Sequence, residues 1–338
     1  MKIAVDAMGG DNAPQAVVEG VNISAAEFPN TQFILYGDET QIKTHLVERA
    51  NVTIVHTDKK VGSSEDPIDA VKNNRDSSMM MAIQAVKKGD ADAVLSAGNS
   101  GALLAGGQVY VRPFLKGLRT GLMSTLPVFK GEFAGVGFDI VDLGANAENT
   151  ARDLKNFAVL GSFYARHVRG IATPRVGLIN NGTEDSKGSE LTKEAFRLLS
   201  EAHEAGDINF VGNIEARDIF YGVADVVVTD GFTGNNILKT LEGTAKAIGS
   251  VLKDSIKGAG IRGIIGYLFL GKALKNMEKQ MDYTTYGGAV LFGLKAPVVK
   301  THGSANANAF QNTLRQIVKM LDSDVTGKLA KYFAEHED

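Results

Sequence analysis

The chain has 338 residues, 44% hydrophobic and 22% charged, with 36 basic against 39 acidic side chains and a formal charge of -3. That balance excludes a disordered chain and gives none of the basic excess a nucleic-acid binder carries. Cys is absent, which excludes disulfides, cysteine-ligated metals and a covalent acyl-cysteine intermediate.

The opening MKIAVDAMGG lacks the features of a signal peptide, and no run reaches the ~18 apolar residues of a membrane span. A cytoplasmic chain is the expectation. The first strand pattern, KIAVD (2–6), ends on Asp6 and opens the loop AMGGDNAP (7–14), where Pro14 leads a helical stretch to Phe28. FILYG (33–37) and VTIVH (52–56) follow as strands. DAVLSA (92–97) runs into SAGNSGA (96–102), and VGFDIVDLG (136–144) into DLGANAENT (142–150). RVGLIN (175–180) precedes NNGTEDSKG (180–188), INFVG (208–212) precedes GNIEARD (212–218), and DVVVTDG (225–231) precedes TDGFTGNNILK (229–239). Strands alternating with helices predict an α/β fold built on a mainly parallel sheet with helices on both faces. No linker or repeat interrupts it, so a single α/β domain over residues 1–338 is expected.

Ligands of open parallel sheets bind at the carboxyl ends of the strands. Six of the loops that follow strands here combine Gly with Asn, Ser, Thr or Asp. Meeting on one edge, they would make an amide-lined crevice suited to phosphate. The simpler expectation is that Asn99, Ser100 and Thr233 only cap their own helices. Lys187 is the candidate cation, against an ordinary surface pair with Glu184 or Asp185. Asp230, directly after VVVT, is the candidate carboxylate, against a helix N-cap; Asp6, Asp11, Asp139 and Asp142 stand in comparable positions. His302 lies in a Gly/Ser/Asn loop before a helix, where a catalytic and a hydrogen-bonding role are equally compatible. No metal, dinucleotide, Walker or nucleophile-elbow motif is present.

Residues 253–280 put Ile261, Ile264, Ile265 and Leu268 on one helical stripe and Tyr267, Leu270 and Leu274 on another, among Lys253, Lys257, Arg262, Lys272, Lys275 and Lys279. A protruding basic and apolar helical segment at about 240–282 is expected. Its two uses are contact with an anionic membrane through Ile264, Ile265, Leu268 and Phe269, or burial in a dimer interface.

DAMGGDNAP, SAGNSGA, NGTEDSKG, VTDGFTGNNILK and YGGAVLFGLKAPVVKTHGSANA (286–307) occur in this order over almost the whole chain. Together they resemble the bacterial phosphate acyltransferases of phospholipid synthesis. The resemblance implies transfer of a long-chain acyl group from acyl carrier protein to inorganic phosphate, without a cofactor. It also implies a homodimer with a Rossmann-like fold related to phosphotransacetylases and to isocitrate and isopropylmalate dehydrogenases. Peripheral membrane contact, and a downstream glycerol-phosphate acyltransferase as neighbour, come with it.

The resemblance carries over Lys187 and Asp230 as catalytic. It carries over Asp6, Gly9, Gly10, Asn99, Ser100, Gly101, Asn146, Asn181, Asp185, Gly234, Asn235, Asn236 and His302 as phosphate- or substrate-binding. Phosphate would itself attack the thioester, Lys187 would stabilise the charge growing on the carbonyl oxygen, and Asp230 would orient phosphate or take its proton. The acidic carrier would dock on a basic patch, either VRPFLKGLR (Arg112, Lys116, Arg119) or the hairpin. A phosphotransacetylase acting on an acyl-CoA and a non-catalytic carrier-binding scaffold are the rival readings.

Overall fold

The computed structural model describes residues 1–130, 135–281 and 283–336. Among these, eleven strands form one sheet: β1 (Lys2–Asp6), β2 (Gln32–Gly37), β3 (Val52–His56), β4 (Ala93–Ser96), β5 (Gly121–Leu126), β6 (Phe138–Val141), β7 (Arg175–Asn180), β8 (Asn209–Glu215), β9 (Val226–Val228), β10 (Ala289–Phe292) and β11 (Val298–Lys300). Their order is β3-β2-β1-β4-β11-β10-β5-β6-β9-β7-β8. The helices are α1 (Gln15–Glu27), α2 (Glu39–Lys43), α3 (Pro67–Asn73), α4 (Ser78–Lys88), α5 (Ser100–Gly106), α6 (Ala151–His167), α7 (Glu190–Glu204), α8 (Gly231–Gly258), α9 (Gly260–Met281), α10 (Ala307–Asp322) and α11 (Val325–Glu335). A π-helical turn, Gly107–Val111, extends α5.

Short runs of Val, Ile, Leu and Ala with both faces covered make the strands. On one face α1, α6, α7, α10 and α11 pack against Ile3, Val5, Leu95, Met123 and Val228. On the other, α3, α4 and α5 cover β1, β4, β10 and β11 through Met79, Met80, Ile83 and Leu103. The first turns of α8 share that second face, laying Ile237, Leu238 and Leu241 over Leu126, Phe138 and Ile140 of β5 and β6. Leu122 of β5 packs against both groups, so α5 and α8 flank a stretch of sheet floored by β10 and β5.

Parallel pairings join β3, β2, β1, β4 and β11 into one block and β6, β9, β7 and β8 into another. Between the blocks, β11–β10, β10–β5 and β5–β6 are antiparallel. Three reversals leave the blocks running in opposite directions. The sheet is therefore mainly parallel, but its loops do not meet on one edge as expected. Those after β1, β4 and β11 leave one rim, and those after β6, β7, β8 and β9 leave the opposite one. The cause lies in β5, β10 and β11, strands that the apolar pattern does not announce: β10 and β11 span four and three residues, and β5 begins on Gly121.

Of the expected segment 240–282, residues 240–281 fall in the α8–α9 hairpin, which turns at Gly260 with φ 57°, and residue 282 lies outside the described residues. Leu268 and Phe269 are 76% and 84% exposed, and Ile265 is also exposed; the Ile264 side chain lies outside the described residues. Tyr267 and Leu274 face the groove between the two helices, with Ile248, Leu252 and Ile256.

Candidate active site

On the rim of β1, β4 and β11 the loops are knotted together around Asp6. Its buried carboxylate accepts from Ser78 Oγ and Ser96 Oγ, both at 2.6 Å, and from the Met8 amide. Burial pushes its carboxyl above the ordinary range, and these donors oppose that. Ser96 Oγ accepts from Gly98 N, which leaves its O–H for Asp6. A Cβ on Gly9 would stand 2.4 Å from Asp6 Oδ2 and 2.7 Å from Gly98 N, and Gly10, at φ 104°, abuts Gly303 O. Asp11 N bonds Gly303 O at 2.7 Å and Thr301 N bonds Ser96 O at 3.1 Å. Asp6, Gly9 and Gly10 thus hold three loops in register, which is a bracing role.

Two groups of this knot are not fully buried. Lys300, at the end of β11, donates to Thr301 O at 2.7 Å and Ala97 O at 3.3 Å, and burial pushes its ammonium down to about 8. An ammonium has three donors, so one remains. His302 Nδ1 accepts from Ser304 N at 3.2 Å, which assigns its proton to Nε2, 4.0 Å from Glu242 Oε1. Burial lowers its pKa, keeping the ring neutral.

Asn99 is consumed locally. Its Oδ1 caps Ala102 N, while Nδ2 reaches the carbonyls of Gly62, Ser63 and Glu65. From this loop the backbone amides of Ser100 and Gly101, at the start of α5, are what remain for a substrate.

On the opposite rim, Asp142 organises the start of α8. Its carboxylate accepts from Leu122, Gly144, Ala145 and Asn146 amides and from Asn146 Nδ2. Asn146, with Nδ2 also on Thr120 O at 2.9 Å, is buried and internal. Asn149 Oδ1 accepts from Gly231 N and Asp230 Oδ1 from Thr233 N, so Asp230 is the N-cap of α8. Gly234 is required by packing: a Cβ there would lie 1.9 Å from Asp142 O. Asp230 is half-buried, with Oδ2 outside the cap bond, and the Asn235 and Asn236 side chains are exposed beside it.

The loop 180–188 leaves the same rim one strand over, since β7 pairs with β9. Asn180 closes it, Nδ2 to Lys187 O and Oδ1 from Asn181 N, and Asn213 Nδ2 holds Glu184 O at 3.0 Å. Gly188, at φ 101°, makes the exit turn. Lys187, Asn181 and Asp185 are exposed. Among the described residues Lys187 pairs with neither Glu184 nor Asp185, so the surface ion pair does not form.

α8 connects the rims. From Asp230 to Glu242, which faces His302, its axis runs ~18 Å, and Lys239 bonds Glu242 at 2.9 Å. The two groups of candidate residues are therefore ends of one cleft and not a single cage. Lys300, which ends a three-residue strand, carries no sequence signal for the site, and Asp142 stands out only as one of several carboxylates that follow strands.

The fold is one shared with phosphotransacetylases. The chain matches a phosphotransacetylase from Streptococcus pyogenes with a TM-score of 0.58 at 17% identity, over 95% of this chain and 93% of that one. It matches the EutD phosphotransacetylase from Staphylococcus aureus with a TM-score of 0.56 at 17% identity, over 96% and 94%. Membership is closer in sequence: a family model described as fatty acid synthesis protein matches residues 1–328. A phosphate acyltransferase from Enterococcus faecalis is 56% identical over 333 residues, 98% of each chain. The chain belongs to this family, and it is an acyltransferase that transfers acyl groups to phosphate.

Proposed function

We propose that the donor is an acyl-acyl carrier protein and that the transfer takes place in the cleft along α8, with Lys187 and Asp230 acting on the reacting atoms. A phosphate oxygen attacks the thioester carbon, the C–S bond breaks, and the thiolate of the carrier's pantetheine arm leaves as acyl phosphate forms. Phosphate is nucleophilic at neutral pH, so the protein supplies position and charge. Lys187 Nζ stabilises the carbonyl oxygen as it becomes anionic. Asp230 Oδ2 orients the phosphate O–H or accepts its proton. Asn235 and Asn236 flank that carboxylate and bind the incoming anion. Ser100 and Gly101 amides, with Lys300 and His302, hold the other end of the substrate pair.

The observation that supports this most is Lys187 itself. A long cation, unpaired among the described residues, stands in a loop that contains two carboxylates, next to the strand that delivers Asp230. Lys187→Ala is expected to lose on the order of 10²–10³ in the rate of acyl phosphate formation, trapped with hydroxylamine, with unchanged circular dichroism. Activity near that of the parent would remove Lys187 from the chemistry. Running the same assay with acyl-CoA in place of the carrier thioester tests the donor.

Among the described residues no helix is long and apolar enough to cross a membrane. The exposure of Leu268 and Phe269 among lysines favours peripheral contact of the hairpin with an anionic bilayer, close to a glycerol-phosphate acyltransferase that would take the product. The apolar α8–α9 groove favours a homodimer built on the hairpin's base. Leu268→Glu with Phe269→Glu should abolish vesicle binding and retain soluble turnover; dissociation of a dimer instead would assign those side chains to an interface between copies.

A further inference from the structure

The rim that carries Asp230 also carries cations that the reaction does not use. The π-helical turn Gly107–Val111 ends on Arg112, whose φ of 66° and ψ of 152° lie in a region of the map that belongs to glycine. Pro113 accounts for the ψ. Nothing about arginine accounts for the φ, which a glycine would adopt freely. π-turns and such backbone outliers recur where folds meet other molecules. Here the backbone is pinned from both sides, Arg112 N on Gly107 O at 2.9 Å and Lys295 N on Arg112 O at 3.0 Å, with a Pro113–Leu294 bridge beyond.

That geometry sets Arg112 beside Lys295 at the mouth of a cavity of about 330 Å³, across which Lys87 Nζ sits 5.4 Å over the Tyr110 ring. The segment then runs along the rim through Lys116 to Arg119, which reaches Glu148 O at 3.5 Å and Asp153 at 3.7 Å. Glu148 belongs to the loop whose Asn149 holds the first amide of α8. Lys87, Arg112, Lys116 and Lys295 are all exposed, and among the described residues none is ion-paired.

We infer that this strip, from Lys87 through Arg112 and Lys295 to Arg119, is the docking surface for the acidic carrier protein; the inference rests on the acyl-carrier reading above. Exposed cations in a row on a rigid rim, of which Arg119 alone is paired among the described residues, attract and orient a surface of carboxylates, raising the encounter rate and fixing the pose. The strip ends against the loop that braces Asp230, so an arm from a carrier seated there enters the cleft at the α8 cap. On the hairpin, Lys253 and Lys257 lie ~35–40 Å from that cap along the axis of the 28-residue α8, and Lys275 of the returning α9 lines the groove with Lys246, ~24 Å from it.

The test is steady-state kinetics of Lys87→Glu/Arg112→Glu/Lys295→Glu with an acyl carrier thioester and with the same acyl group on free pantetheine. KM for the carrier should rise about tenfold or more with kcat retained, and kcat/KM should lose its salt dependence. The ratio of kcat/KM for the carrier to that for pantetheine should fall by a similar factor. Arg112→Gly separates contact from architecture: with the backbone strain relieved its thermal midpoint should rise by a few degrees while the carrier KM also rises. A carrier KM and salt dependence equal to the parent's in both variants overturn the docking surface alone. So does loss of binding to anionic vesicles with an unchanged carrier KM, which would give the strip to lipid. A parent enzyme that ignores the carrier thioester but turns over acyl-CoA overturns the donor reading and the docking surface together.

Discussion

Asp142→Asn changes no volume and removes one charge, yet it should damage the molecule more than most surface deletions would. Oδ1 accepts at 2.9, 3.1 and 2.9 Å from the amides of Leu122, Gly144 and Ala145, and Oδ2 at 3.0 and 2.7 Å from Asn146 N and Nδ2. Burial pushes the carboxyl up, but all five partners are donors, so only the ionised form satisfies them. An amide keeps one acceptor oxygen. Placed at Oδ1, it preserves three bonds and sets an NH2 against the two Asn146 donors; placed at Oδ2, it does worse. Two charge-assisted bonds at about 1.5–3 kcal/mol each give a loss of ~3–6 kcal/mol. On a scale of ~2 °C per kcal/mol for a large domain, the midpoint should drop by ~6–12 °C in a calorimetric or dichroism melt. Turnover should fall with it, because the same loop seats the start of α8. An unchanged midpoint would mean that Asp142 is protonated or the loop is held by other contacts, and its assignment as an anchor would be wrong.

Lys300 supplies a pH dependence. Its folded pKa of about 8 lies below the ordinary 10.5, so the unfolded chain binds the extra proton between those values and stability from this group rises with pH across that window. The shift corresponds to ~3 kcal/mol held against folding at neutral pH; denaturant titrations should show that slope in the parent relative to Lys300→Met, and parallel curves would refute it. Gly234→Ala puts a methyl 1.9 Å from the Asp142 carbonyl, and backbone cannot swing aside. We expect ~1–3 kcal/mol lost in urea unfolding and a displaced α8 cap with reduced turnover. Arg169, bonded to Asp139 at 2.9 Å and to the Val136 and Gly137 carbonyls, neutralises a fully buried carboxylate. Arg169→Met should cost ~3–5 kcal/mol, and Arg169→Met with Asp139→Asn should recover part of it in a double-mutant cycle.

Much of this architecture could be read from local signals. KIAVD, VTIVH and RVGLIN became β1, β3 and β7 with the bounds their apolar runs suggested, and TDGFTGNN opened a helix where Asp230 could cap it. What could not be read was direction. A strand's polarity is defined only against its neighbour, and here the reversing neighbours are short segments that join distant parts of the chain. Asp6 meets Ser96 across ninety positions and Lys300 meets Ala97 across two hundred and three. Glycines told a similarly mixed story: the Gly-rich loops do mark close approach, but Gly9 and Gly234 approach their own backbone. Asn99, which looked poised for a ligand, spends its amide on the 62–65 loop.

The length of α8 carries a mechanical consequence. One uninterrupted hydrogen-bonded rod starts at the Asp230 carboxylate and ends at the turn of the outlying hairpin, and a rod of this kind bends only gently. Tilting the outer end therefore swings the inner one, so whatever grips the hairpin also sets the aim of the carboxylate at its root.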